Sequence, residues 1–506
     1  MSVIKKQGIY STLFLYIGLI IGFANSVILF PKIVGAEIYG LTQWLLALTS
    51  VLVFVGNMGI PNATIRFFPY FKDEEKQHQG FLGFTVLLSL VGAALATFII
   101  LFFQDAVLEH FSSEKSGQLA ADYYYLVVPL LIFMLYFEVF RAYSKALYKA
   151  SIPIFLDEVV SRLVDTFLLV VYFFRLLSLD WFLILFTAKF LLKLLFLIIY
   201  LKKEGQLFLR PQMSLFKGER FREMTQYSAF TFLAGIGGKI TRKVDILMLS
   251  SFVSLSAAGI YAVFFFIMNV VSFPHRGLSA IAPSVVAQAW KDNDKATILK
   301  VYRKTALNSL VAGLFIFVVI WANLHNLIGI LGEQYEKGMW AAVFLGLSKL
   351  AMISTGISGA IIINSKYYRF DLLFKVATII LTVTTNYLLI PPLGILGAAL
   401  ATFITVCIGS FLSFLFILVK MGIQPFSIQT VKAILLAFLA LAIHIAMPSV
   451  ASFFEQNHFM YYIIDGILRT AIVGGLFFGL MLSFNISPDI TALVNKNMKK
   501  IKGKLG

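Results

Sequence analysis

Residues 81–103 read Phe81-Leu-Gly-Phe-Thr-Val-Leu-Leu-Ser-Leu-Val-Gly-Ala-Ala-Leu-Ala-Thr-Phe-Ile-Ile-Leu-Phe-Phe103, an apolar run without a charged side chain. An α-helix rises about 1.5 Å per residue, so roughly 20 mostly apolar residues cross the hydrocarbon of a bilayer, and this run suffices. Working outward from it, about fourteen such windows can be placed, at roughly 10–30, 41–60, 81–103, 123–143, 153–174, 181–201, 225–250, 257–280, 305–324, 338–362, 372–390, 394–419, 431–447 and 461–484. The composition agrees: of 506 residues 59% are hydrophobic and 13% charged, and the mean hydropathy is +0.88, too apolar for a soluble globular protein of this length. The expected fold class is an all-α polytopic membrane protein with about 14 transmembrane helices.

A net charge of +17 would suit a nucleic-acid partner, but its placement argues against one. With Lys5 and Lys6 in the cytoplasm, about 29 of the 42 Lys and Arg fall in cytoplasmic segments. About 4 (Lys32, Lys115, Arg175 and Lys337) fall outside, and about 9 lie within spans. This asymmetry is the positive-inside rule, so a multi-pass protein of the cell (inner) membrane with both termini cytoplasmic is expected. The tail residues Lys496, Lys499, Lys500, Lys502 and Lys504 then serve as a topology signal or bind anionic headgroups. The first apolar run has no small-residue cleavage pattern before Phe30 and is read as a retained span. Cys407 stands alone, which excludes an intrachain disulfide.

The longest basic connection, residues 202–224, carries Lys202, Lys203, Arg210, Lys217, Arg220 and Arg222 and divides the chain into an N-lobe, 1–201, and a C-lobe, 225–419. Residues 420–506 add two further spans and the basic tail. A weak internal repeat crosses the division: Tyr39 and Pro61 recur as Tyr261 and Pro283, offset by 222, and Ser144-Lys145 as Ser365-Lys366, offset by 221. Six spans per repeat put both copies in the membrane with the same orientation, so the lobes are expected to be parallel repeats with a substrate site between them.

Charges inside spans are the candidates for chemistry, because each costs several kcal/mol unless it lines water or meets a partner. Span seven contains Gly235-Ile-Gly-Gly-Lys239-Ile-Thr-Arg242-Lys243-Val-Asp245. Its glycines permit a break in the helix, and Lys239, Arg242 and Lys243 beside one acid suit an anion such as phosphate in a cavity. The structural alternative has Lys243 reaching the interface and Arg242 pairing with Asp245. In span eight Arg276 follows Pro274-His275; proline can bend the helix and arginine captures phosphate or carboxylate bidentately. Span five carries Asp157, Glu158, Arg162 and Asp165, and span six carries Lys189 and Lys193 on one face. These serve either ion coupling, with Asp165 the deepest acid, or structural pairing across the two spans. Asp465 and Arg469 form an i, i+4 pair in span fourteen. The histidines show no metal spacing and no Gly-x-Ser-x-Gly turn occurs, so no enzyme is expected.

Three segments resemble a known family. They are Gly59-Ile-Pro-Asn-Ala-Thr-Ile-Arg66-Phe-Phe-Pro69 at the end of span two, Asp245-Ile-Leu-Met-Leu249 in span seven and Ala258-Gly-Ile-Tyr261 opening span eight. In order and position they are similar to the polysaccharide-biosynthesis branch of the multidrug/oligosaccharidyl-lipid/polysaccharide exporter superfamily, the O-antigen-type flippases. The resemblance implies a fourteen-helix, two-lobed carrier that flips polyprenyl-diphosphate-linked oligosaccharide to the outer leaflet. It also implies a cationic cavity, here Arg66, Lys239, Arg242, Lys243 and Arg276, and drive by a proton or sodium gradient, with no bound cofactor. Its partners would be the lipid-linked glycan, the bilayer, and a polysaccharide polymerase or glycosyltransferases. Span one departs from the pattern, since no charge separates Lys6 from Lys32. Other readings remain: a drug/cation antiporter of the same superfamily, disfavoured by the surplus of intramembrane cations, a peptidoglycan-precursor flippase, and a non-transporting scaffold for glycan-synthesis enzymes.

Overall fold

A computed structural model of the chain describes residues 3–212, 218–241, 243–279, 282–447 and 459–505, and every regular element among them is a helix. Eleven helices among the described residues are long and apolar enough to cross a membrane, and the chain is a multi-pass membrane protein. One of the eleven, Arg369–Met421, runs 53 residues and covers both the eleventh and twelfth expected spans. It folds back at Gly394, whose φ of 55° and ψ of −126° are open to glycine and not to residues with a Cβ. The expected fifth and seventh spans are not among the eleven. The fifth is divided into Ser151–Phe155, a π-helical turn Leu156–Val160 and Ser161–Phe173. The seventh stops at Ile240 and restarts as Val244–Phe252, beyond the run of glycines.

The chain divides into two compact units, Met1–Val263 and Phe264–Gly506. In the first, span two is broken: Gly35–Asn57 ends at Met58 and a short helix, Ile60–Phe67, follows. Gly59 makes the break with a φ of +80°, and a Cβ there would lie 2.1 Å from the Ser228 carbonyl oxygen, so both backbone and packing require glycine. Beneath the short helix lies an aromatic core of Phe67, Phe68, Phe71, Phe81, Phe84, Phe137, Phe140 and Tyr143. Its rings meet edge-on or stacked, Phe68 on Tyr143 at 5.1 Å and Phe71 on Phe81 at 5.1 Å. The basic connection begins against this core, where Tyr143 donates a hydrogen bond to the Gln206 carbonyl at 3.0 Å.

Two close helix approaches hold this unit together. A methyl at Gly40 would fall 1.7 Å from the Leu255 carbonyl oxygen, and one at Gly259 would fall 2.0 Å from that of Ala36, so the crossing is open only to small residues. Nearby, the Ser112 amide donates to the Ser251 carbonyl at 2.7 Å and the Leu255 amide to Ser116 Oγ at 3.1 Å. In the first helix, Gly18 and Gly22 make room for Glu158 and Arg162 of the fifth span. Both segments carry π-helical turns at this contact, Ala24–Leu29 and Leu156–Val160, and Asn25 Nδ2 donates to the Arg162 carbonyl at 2.7 Å.

In the second unit the helix Ile428–Ala446 starts with a reciprocal cap between Ser427 and Thr430. The last apolar segment has a buried polar joint: Arg469 Nε donates to Asp465 Oδ2 at 2.6 Å, as does Asn326 Nδ2 at 2.6 Å. The C-terminal helix Pro488–Leu505 is tied to the helix Lys295–Ala322 through Asp489, which accepts from Lys304 at 2.8 Å and Asn308 at 3.0 Å.

Candidate functional site

In the first unit the cations within the spans and at their ends fall into two kinds. Those of spans four to six are matched to acids. Asp157 accepts from Arg141 at 2.8 Å and from Lys193 at 2.6 Å, and Arg141 also meets Glu138 at 3.2 Å. Glu158 accepts from Arg162 at 2.7 Å, one helical turn away, and Lys189 pairs with Asp165. Lys189 and Lys193 are buried, and each ammonium also lies over a ring, Lys189 over Phe186 at 3.7 Å and Lys193 over Phe137 at 4.3 Å. Burying such charges is tolerable because each meets an opposite charge and hydrogen-bonding groups. Arg162 also brings a cation against the charge-poor first helix, in the space that Gly22 leaves.

Arg66 is of the other kind. It ends the short helix after the span-two break, is exposed, and forms no ion pair with a described carboxylate. Its guanidinium lies 4.3 Å from the Tyr227 ring centroid and 5.5 Å from that of Phe67. It lines a cavity of about 480 Å³ with Phe67, Tyr70, Arg220, Glu223, Tyr227 and Phe230. A second cavity of about 300 Å³ lies on the other flank of the same short helix, against span four, lined by Asn57, Asn62, Glu138, Arg141 and Lys145. There the buried Oδ1 of Asn57 has no hydrogen-bond partner among the described residues.

Among the described residues, the remaining candidates line neither of these two cavities. Lys239 lies in the helix Glu219–Ile240, but its side chain and the whole of Arg242 fall outside the described residues. Lys243 is half-buried at the start of Val244–Phe252, and Asp245 in that helix accepts a hydrogen bond from Tyr261 at 2.6 Å. Arg276 belongs to the second unit, in Phe273–Ser279, where it rests 4.6 Å from the Phe273 ring and forms no ion pair with a described residue. The second unit also holds an apolar cavity of about 570 Å³ lined by Leu310, Leu314, Phe317, Trp321, Phe403 and Phe438, chemistry suited to hydrocarbon. No group of three or more His, Cys, Asp or Glu among the described residues is arranged to hold a metal ion.

Glu223, Gln226, Tyr227 and Phe230 carry no signal of their own in the sequence, and Arg220 reads only as one charge of the basic connection, yet their spacing is available. Arg220, Glu223, Tyr227 and Phe230 recur at three- to four-residue intervals and so occupy one face of a helix, with Gln226 beside Tyr227. Arg220 and Glu223 are hidden because the connection 202–224 reads as a basic loop, whereas the helix already starts at Glu219 and carries them on the same face as Tyr227 and Phe230.

Residues 4–286, more than half of the chain, match the family described as "Polysaccharide biosynthesis protein". The chain belongs to this family. No curated protein matches the sequence. Among solved structures the chain is similar to the lipid II flippase MurJ in an inward closed conformation, at 16% identity and a TM-score of 0.65, covering 95% of this chain and all of that one. It is also similar to an inward-facing multidrug resistance MATE family transporter of the MOP superfamily, at 14% identity and a TM-score of 0.59, covering 81% of this chain and 94% of that one. At these identities the likeness is one of fold: this member of the family has the helical fold shared by those flippases and transporters.

Proposed function

We propose that this protein translocates a lipid-linked saccharide of the polyprenyl-diphosphate class from the cytoplasmic to the outer face of the cell membrane, for synthesis of surface polysaccharide. The observation that carries the reading is the contrast among its cations. Spans four to six neutralise theirs, whereas Arg66 and Arg276 rest against aromatic rings and form no ion pair with a described carboxylate. An arginine stacked on a ring keeps its N–H edge for phosphate oxygens. Family membership supports a saccharide cargo, and the fold likeness to a flippase supports carriage of a lipid.

In this reading both termini are cytoplasmic, and the lobes 1–201 and 225–419 alternate access while 420–506 adds two helices and a tail. Arg66, Lys239, Arg242 and Lys243 hold phosphate, Arg276 serves the same cargo, and the acids of span five, Asp165 foremost, link the cycle to a proton or sodium gradient. The polyprenyl tail stays in hydrocarbon while the headgroup passes through water and charge. The test is flipping of a labelled polyprenyl-diphosphate saccharide by the purified protein in proteoliposomes. Arg66→Gln combined with Arg276→Gln should slow flipping at least about tenfold with reconstituted protein unchanged, each arginine–phosphate contact contributing roughly 1.5–3 kcal/mol. Full activity in that double variant would remove both residues from the site.

A further inference from the structure

The cavity beside Arg66 has a mixed chemistry that an anion alone does not require. Arg66 lies over Tyr227, and Arg220 lies 5.7 Å from the Tyr70 ring and 6.0 Å from that of Phe71. Glu223 and Gln226 complete the lining, and the exposed Tyr70 and Phe230 rings bound the same space. We propose that this cavity is a capture subsite for a glycosyl diphosphate, with the two guanidinium groups taking the phosphates and the tyrosines and Glu223 taking the first sugar. The inference rests on the transport reading above and names the part of the cargo that the cavity reads.

The residue types decide the ligand class. Two arginines, neither in an ion pair with a described carboxylate, offer N–H edges to phosphate oxygens. A carboxylate in the lining would oppose a bare phosphate, yet it accepts hydrogen bonds from sugar hydroxyls, and Gln226 both donates and accepts. Aromatic faces cover the C–H faces of a pyranose ring, which phosphate lacks. A volume of about 480 Å³ lies in the range of small-molecule sites.

The subsite is also held in place before any ligand arrives. Tyr227 meets Phe67 edge-on at 5.8 Å, and Phe67 belongs to the buried aromatic core. The helix bearing Tyr227 is seated on Gly59 through the Ser228 carbonyl, at a position open only to glycine. Such preorganisation lowers the ordering cost of binding. The cavity lies at the end of span two that the charge distribution assigns to the cytoplasm, where cargo is loaded.

The test uses full-length protein in nanodiscs and three probes: polyprenyl diphosphate carrying one sugar, bare polyprenyl diphosphate, and a soluble nucleoside-diphosphate sugar. The wild type should bind the glycosylated lipid about tenfold more tightly than the bare one, a preference of roughly 1.4 kcal/mol. Glu223→Ala should erase that preference while retaining affinity for the bare diphosphate, Tyr227→Phe should preserve it, and Arg66→Gln should weaken both lipids. Equal wild-type binding of the two lipids, or an equal loss of both in Glu223→Ala, overturns the sugar subsite. A soluble nucleotide sugar that competes as well as the glycosylated lipid overturns the lipid-linked source. Sugar-selective binding by a wild type that flips nothing would sink the transport reading and leave the subsite standing.

Discussion

The charge layer of spans four to six and the basic mouth beside Arg66 belong to the same unit, draw on the same residue types and solve opposite problems. In the charge layer, Asp157 answers both Arg141 and Lys193, Asp165 answers Lys189, and Glu158 answers Arg162. At the mouth, Arg66 and Arg220 lie over tyrosines, with Glu223 and Gln226 beside them. A carboxylate partner cancels a cation's field and occupies its N–H groups, whereas a ring supports the guanidinium face and leaves the edge available. Basic residues in an apolar helix are therefore informative only together with what faces them. The first arrangement suits holding helices in register, and the second suits holding a ligand.

The largest effect that sharpens this contrast comes from splitting a buried pair. Lys189→Ala strands the Asp165 carboxylate and should cost ~3–5 kcal/mol, seen as a lowered thermal midpoint in detergent, with Lys189→Met plus Asp165→Leu recovering most of it. Arg66→Gln, by contrast, should leave that midpoint near the wild-type value, and a matching drop there would erase the distinction between the two regions. Next in size is Gly22→Ala. Its methyl would fall 1.3 Å from Arg162 Nη1, so the guanidinium must move off Glu158, at a cost of about 1–3 kcal/mol, read by the same melt.

The smallest effect belongs to an exposed pair outside the membrane. The hydrogen bonds from Lys304 and Asn308 hold the Asp489 carboxyl below the usual carboxylate range. Its depressed value means that the docking energy is present above the ordinary carboxylate pKa and is lost as pH falls through the lower folded value. Proteolysis of the helix Pro488–Leu505 should accordingly quicken on acidification and in Asp489→Asn, by no more than about 0–1 kcal/mol of docking.

What the sequence determined by itself is whatever depends on neighbours within one helix or on partition into lipid. Apolar windows of span length mark the helices because the bilayer demands internally hydrogen-bonded segments. The four-residue spacing of Glu158 and Arg162, and of Asp465 and Arg469, announces pairs because one helical turn brings those side chains together. The glycines of span seven suggest a break at 235–238, whereas the helix runs on through them to Ile240 and the next begins at Val244. Only the tertiary structure decided the rest. Lys193 and Asp157, Lys189 and Asp165, and Arg66 and Tyr227 stand far apart in sequence, so their meetings depend on which helix faces pack together. Those faces are selected by close approaches such as Gly40 on Leu255 and Gly59 on Ser228. A hydropathy pattern registers how apolar a helix is, but in lipid it carries little information about which neighbour each face meets, because packing of small residues and satisfaction of charge make that choice.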